Sequence, residues 1–182
     1  MKSKIDGFAM NMAFMDSTNE AQLPVAFEVA RKLGFKLFFS FDYAANGIWS
    51  YDAVLKLIQV WSKDPAYFRD RVTNRPLVST FEGPVAEKDW KKIKDLTNCF
   101  FVPSWNSRTP ADVMSKGLAN GLFNWDAWPE GNKEMVSFHF VNFVPCWLSE
   151  NGTVFKALLS SFTGSIYMHV CRDFEMMLNL LF

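Results

Sequence analysis

Acidic and amide side chains recur at one kind of place in this sequence, the end of a short apolar run. Asn11 ends I-D-G-F-A-M-N, Asp42 ends F-K-L-F-F-S-F-D, Glu82 ends P-L-V-S-T-F-E and Asp126 ends G-L-F-N-W-D. Trp105 closes C-F-F-V-P-S-W in the same way. Two or three carboxylates around one cleft suit acid–base work, because burial and like charge hold one protonated while another stays ionised. Trp49, Trp105, Trp125 and Trp128 lie in or near the same segments. Flat rings beside carboxylates suit a sugar: the rings meet its C–H faces and the carboxylates bind its hydroxyls. The competing reading is structural, since a strand-end acid also caps a helix or accepts a loop N–H.

The elements that must position these residues alternate. Ile5–Asn11 reads as a strand, and Ser17 to Glu20 has the S-x-x-E spacing of a capping box. Leu23, Phe27 and Ala30 then share a helical face, with Gly34 placed to close that helix in a left-handed turn. Phe35–Asp42 is a short apolar run of the kind found in strands covered on both faces. Val54, Leu57, Ile58 and Trp61 mark a second helix, ended by Asp64-Pro65, before a strand at Pro76–Glu82. Trp90, Ile93 and Leu96 mark a third helix, with Lys88, Lys91 and Lys92 outward, followed by a strand at Cys99–Trp105. Thr109-Pro110 reads as an N-cap and a proline at the first helical position, with Val113 and Met114 behind it. Gly121–Asp126 is the fifth strand expected.

Five buried strands alternating with four helices argue for an α/β fold with a parallel sheet. The choice lies between an open doubly wound sheet and a (β/α)8 TIM-type barrel. No G-x-G-x-x-G and no G-x-x-x-x-G-K-[ST] is present, which removes the usual signal of a nucleotide-binding sheet. A full barrel takes about 250 residues, so 182 residues make room for only part of one.

Composition narrows the partners. Nineteen Lys and Arg balance nineteen Asp and Glu, so there is no global field for a polyanion, and nucleic acid is not expected. Cys99, Cys146 and Cys171 are too scattered for a disulfide framework or a zinc knuckle, and His139 and His169 have no metal-ligand spacing. Neither a metal nor a cofactor is expected. The N-terminus runs directly into a strand-like segment with no secretory h-region, and no run of about 18 apolar residues suggests a membrane span.

Taken together, D-G-F-A-M-N at 6–11, G-F-K-L-F-F-S-F-D at 34–42, P-A-Y-F at 65–68, R-P-L-V-S-T-F-E-G at 75–83, F-F-V-P-S-W at 100–105 and G-L-F-N-W-D-A-W-P at 121–129 resemble glycoside hydrolase family 71. These are the fungal α-1,3-glucanases, or mutanases, and the resemblance covers about residues 4–131. It implies a (β/α)8 catalytic barrel, here a partial barrel of about five βα units. It also implies inverting hydrolysis of α-1,3-glucosidic bonds in fungal cell-wall glucan, at an extracellular or cell-wall location. By the same resemblance Asp42 is the acidic residue implicated in activity, with Glu82 and Asp126 as further catalytic candidates. Asn11, Glu82, Trp105, Trp125, Asp126 and Trp128 would line the sugar cleft.

Two departures shape the expectation. The family places its proposed acid and base in a W-N-D-Y-G-E segment, which this sequence lacks. Residues 136–182 hold only five charged residues (Glu150, Lys156, Arg172, Asp173 and Glu175) and no clear strand–helix alternation. The chain is therefore expected to divide into a partial hydrolase barrel at 1–135 and a divergent tail at 136–182, the tail arising from intron read-through, a frameshift or a truncated gene model. This polypeptide alone is then expected to be weakly active, or to be a non-catalytic fragment or pseudoenzyme retaining at most glucan binding.

Overall fold

The computed structural model describes residues 5–123, 156–162 and 165–171. Four strands run parallel, each paired with its predecessor: β1 (Ile5–Ala13), β2 (Lys36–Asp42), β3 (Leu77–Phe81) and β4 (Phe100–Phe101). The helices α1 (Thr18–Leu33), α2 (Tyr51–Trp61) and α3 (Glu87–Thr97) lie in the crossovers, and α4 (Pro110–Ser115) follows β4. On the far side of β1, β6 (Ser165–Cys171) pairs antiparallel with it, and β5 (Lys156–Phe162) pairs antiparallel with β6. The strand order is β4-β3-β2-β1-β6-β5, which makes the chain a mixed α/β structure.

Each crossover moves the chain one strand further in the same direction. Right-handed crossovers that never reverse put their helices on one face of the sheet. Alternation along β2 bears this out. Phe39 meets Phe27 of α1 at 6.2 Å between ring centroids, and Phe41 meets Trp90 of α3 at 6.0 Å. Phe38, Ser40 and Asp42 therefore occupy the face away from the helices. Register extends that face to Ala9, Asn11 and Ala13 of β1 and to Ser79 and Phe81 of β3. Apart from Lys36, every residue of β2 is buried, as expected of a strand covered on both sides.

The helix-side core is aromatic. Phe27 stacks on Trp61 at 4.7 Å, and Trp90 stacks on Phe101 at 4.3 Å. Offset or tilted ring pairs of this kind add about 0.5–1.5 kcal/mol beyond the area they bury. In α1, Leu23, Phe27 and Ala30 are the buried residues, and Gly34 closes the helix at φ 74°, where a side chain would be strained. Thr109 accepts from the Asp112 N–H with Pro110 at the first helical position, as its sequence predicts.

Several expectations change. Ser17 has helical φ and ψ and makes no side-chain cap bond, so the capping box does not form. Asp16 takes its place: its Oδ1 accepts from Thr18 Oγ1 at 2.7 Å and Thr18 N at 2.9 Å. Those bonds favour the ionised carboxylate and lower its pKa below the usual value. Leu96 is 60% exposed, because α3 turns only Trp90 and Ile93 fully into the core. The strand read over Cys99–Trp105 keeps a regular ladder only at Phe100–Phe101, continuing as a single bridge between Phe81 and Ser104. Residues 121–123 form no regular strand, although Asn120 N donates to Phe101 O and Phe123 N to Pro103 O, so the chain runs beside β4. The rest of that expected fifth strand, 124–126, lies outside the described residues. Residues 156–162 and 165–171, within the stretch read as a tail, form two strands of the same sheet.

Candidate active site at the carboxyl ends of the strands

Parallel strands bring their carboxyl ends to one edge of the sheet, which is where sites in such folds collect. Asp42 stands at that edge on β2 and is 8% exposed. Its Oδ1 accepts from the backbone N–H groups of Ala44 at 2.8 Å and Ala45 at 3.0 Å. Its Oδ2 accepts from Asn11 Nδ2, two residues before the end of β1, at 3.0 Å. Asp42 thus has the anchoring role of a strand-end acid, and it also sits on the sheet face that carries Ser40 and Asn11.

Glu82 follows β3 directly and adopts φ +53°, a left-handed conformation that non-glycine residues seldom take. Its two oxygens both reach Ser107 on the loop after β4: Oε1 accepts from Ser107 N at 3.0 Å and Oε2 from Ser107 Oγ at 2.6 Å. Ser104 O accepts from Glu82 N at 2.9 Å. Gly83 continues the left-handed turn at φ +96°, and a Cβ there would stand 2.6 Å from Tyr43 Cγ. The two strand-end loops are thereby locked together: Tyr43 follows Asp42, and its ring fills the space that Gly83 leaves open.

The tryptophans divide differently from their positions in sequence. Trp105 is 5% exposed, donates from Nε1 to Thr80 Oγ1 at 3.1 Å, and packs edge-on to Phe101. Trp49 is also buried; its Nε1 donates to Met12 O at 3.0 Å and its ring meets Phe41 and Phe14. Both rings lie in the core beneath the strand ends, with their N–H groups satisfied. Trp125, Asp126 and Trp128 lie outside the described residues. The structure therefore brings Asn11 and Asp42 into contact, sets Glu82 on the neighbouring strand end, and places Trp105 in the packing below.

Ser40, Ser79, Tyr43, Gly83 and Ser107 shape this edge and were not singled out by their sequence positions. Ser40 carried a usable signal: it stands two residues before Asp42, and so on the same face, in a strand otherwise filled by Phe38, Phe39 and Phe41. Among the described residues no group of three or more His, Cys, Asp or Glu could hold a metal ion. Cys99 is buried, and that burial pushes its thiol pKa up, in keeping with a packing role. Among the described residues no helix is long and apolar enough to cross a membrane.

Acidic residues at neighbouring parallel strand ends stand where folds of this kind collect their sites. The sequence model of glycosyl hydrolase family 71 matches residues 1–171, and the chain belongs to that family. The match runs past residue 131, where the motif likeness ends. A mutanase of Penicillium rubens is 31% identical over 137 residues, which is 72% of this chain and 29% of the mutanase. The chain thus spans less than a third of that relative's length. No solved structure is significantly similar to it.

Proposed function

We propose that the chain is part of an α-1,3-glucanase whose substrate is a cell-wall α-1,3-glucan met outside the cell, and that its four βα units belong to a (β/α)8 barrel. Family membership and likeness to a mutanase support the substrate class. The order of β1 to β4, each added on the same side of the last, supports the barrel, since a doubly wound sheet reverses direction at its switch point, whereas the antiparallel β6 on the other edge of β1 is not a barrel pairing. One observation carries the site. Asp42 stands at the end of β2, held by Asn11 and two backbone N–H groups, one strand away from Glu82.

Inverting hydrolysis needs a general acid at the leaving oxygen and a general base that activates water, their carboxyls about 6.5–9.5 Å apart. Asp42 is one of the two reacting carboxylates in this reading. Asn11, Glu82 and the W-D-A-W segment at Trp125, Asp126 and Trp128 complete the cleft, and Trp105 supports it from below. Asp126 and Glu82 are the candidates for a second reacting carboxylate. The partner is polysaccharide, and the reaction calls for no cofactor.

A second reading has its own support. Both oxygens of Glu82 and both of Asp42 already accept hydrogen bonds from the protein, which is what structural loop anchors do. On that reading the polypeptide is non-catalytic and retains at most glucan binding. Purified chain incubated with insoluble α-1,3-glucan decides between them. Release of reducing sugar that Asp42→Asn abolishes supports the hydrolase. Sedimentation with the glucan and no release supports the binding fragment, and release unchanged in Asp42→Asn removes Asp42 from the chemistry.

A further inference from the structure

Asn11, Ser40 and Ser79 are register partners across β1, β2 and β3, forming a row of three small polar side chains on the face away from the helices. The flanking row toward the amino ends is Ala9 and Phe38, both fully buried. Ser79 is satisfied, since its Oγ donates to Val102 O at 2.8 Å. Its two neighbours are not. Ser40 is fully buried and its Oγ has no hydrogen-bond partner, and Asn11 Oδ1 is likewise buried without one. Two adjacent orphaned oxygens are costly, because a buried polar group without a partner forfeits about 1–3 kcal/mol. They share one face of neighbouring strands that lie about 5 Å apart.

The orientation of the Asn11 amide is set by charge. Its NH2 group faces the Asp42 carboxylate, which leaves the oxygen as the unbonded atom of the amide, on the strand position paired with Ser40. The vacant valences are then an amide oxygen, which accepts only, and a serine hydroxyl, which donates or accepts. A neutral hydroxyl answers both, donating its proton to Asn11 Oδ1 and accepting the proton of Ser40 Oγ. An anion has no proton for Asn11 and would be repelled by Asp42. A divalent cation of the calcium type takes six to eight oxygens, whereas among the described residues of this face two side-chain oxygens lack partners and Asp42 already faces N–H donors.

We propose that Asn11 Oδ1 and Ser40 Oγ form a buried slot for one neutral hydroxyl group, beside Asp42. Two sources share that chemistry, a retained water molecule and a hydroxyl of the bound sugar. The sugar arm rests on the glycosidase reading above; the water arm stands without it.

Ser40→Ala in the full chain separates them, because it removes only the hydroxyl and does not overpack the site. If the slot holds water, the variant melts about 4 °C or more lower. Water-to-protein NOE transfer in the unaltered chain then shows a long-lived water at the Asn11 amide protons. If the slot takes a sugar hydroxyl, melting is unchanged or raised, while binding of an α-1,3-linked glucooligosaccharide weakens tenfold or more. Unchanged melting together with unchanged oligosaccharide binding overturns the proposal, as does a lower melting temperature with no long-lived water at Asn11. A chain that binds no glucooligosaccharide removes the glycosidase reading and the sugar arm alone, since melting and the NOE still report on the water.

Discussion

Asn11 Nδ2 donates to Asp42 Oδ2 at 3.0 Å and joins the carboxyl ends of β1 and β2 through their side chains. The backbone ladder already pairs Ala13 with Asp42, so this bond adds direction: it fixes which way the carboxylate faces. Hydrogen bonds to charged groups contribute about 1.5–3 kcal/mol. Asn11→Ala should therefore lower unfolding free energy by about 1.5–3 kcal/mol, read from urea denaturation. A value within experimental error of zero would mean that the bond does not persist in solution.

Asp42→Asn keeps the side-chain shape and an acceptor for the Ala44 and Ala45 N–H groups, and removes the charge. On the hydrolase reading, the expected loss of reducing-sugar release from α-1,3-glucan is about 100-fold or more, with melting changed by only a few degrees. A parallel collapse of folding, seen by circular dichroism, would assign Asp42 to structure instead.

Gly83→Ala should be among the most damaging single-methyl changes in the chain. The added Cβ would stand 2.6 Å from Tyr43 Cγ, in a backbone conformation at φ +96° that alanine resists. Overpacking costs about 1–3 kcal/mol, and the left-handed backbone about 1–2 kcal/mol more. Thermal melting should fall accordingly, and Tyr43→Ala in the same background should restore part of the loss by opening the space.

Glu82 and Ser107 form a reciprocal pair with two bonds, and a double-mutant cycle should read their coupling. Glu82→Ala and Ser107→Ala should each cost about 1 kcal/mol, and the double variant less than the sum by about 0.5 kcal/mol or more. The backbone N–H of Ser107 remains in both variants, so Glu82→Ala should be the more costly of the two. Strict additivity would show that the Ser107 hydroxyl bond contributes nothing across the loops.

Burial pushes the Tyr43 and Tyr67 phenols well above the ordinary value near 10. Above that value the unfolded chain releases these protons while the folded chain retains them. The unfolded state then binds fewer protons, and stability falls as pH rises. The contribution of both phenols is therefore whole below about pH 10 and declines above it. Tyr67→Phe removes one such group together with its hydrogen bond to Leu77 O at 3.0 Å. It should cost about 1 kcal/mol at neutral pH and make the alkaline decline shallower, followed by urea denaturation at a series of pH values.

Local rules read the helix-side framework well. Gly34 as a left-handed cap, Thr109-Pro110 as a helix start, and Leu23, Phe27, Ala30, Val54, Ile58, Trp90 and Ile93 as buried faces follow from spacing and capping chemistry alone. Asp16 displaced Ser17 because its carboxylate reaches both the N–H and the hydroxyl of Thr18 at the first helical position. The fate of Trp49 and Trp105 was not legible, because a tryptophan in a strand-end segment reads alike whether its ring faces a cleft or fills the core. Only their N–H partners, Met12 O and Thr80 Oγ1, settle which. The pairing of β6 with β1 joins segments at opposite ends of the chain, and such contacts leave no periodic trace in either segment. Spacing alone puts Asn11, Asp42 and Glu82 at or near strand ends, while the contacts around them, Ser107 and the Tyr43–Gly83 packing, depend on loop geometry.

A ribosome delivers β1, β2, β3 and β4 in the order in which they pair, so each new unit finds its neighbour already made. The other side of β1 has no such provision. Its partner β6 emerges only after β1 to β4 and the helices between them, and until then a nine-residue strand presents an unpaired flank. That interval is the period of greatest exposure to intermolecular strand pairing during synthesis. Chains halted before residue 165 should accordingly aggregate faster than the 182-residue polypeptide.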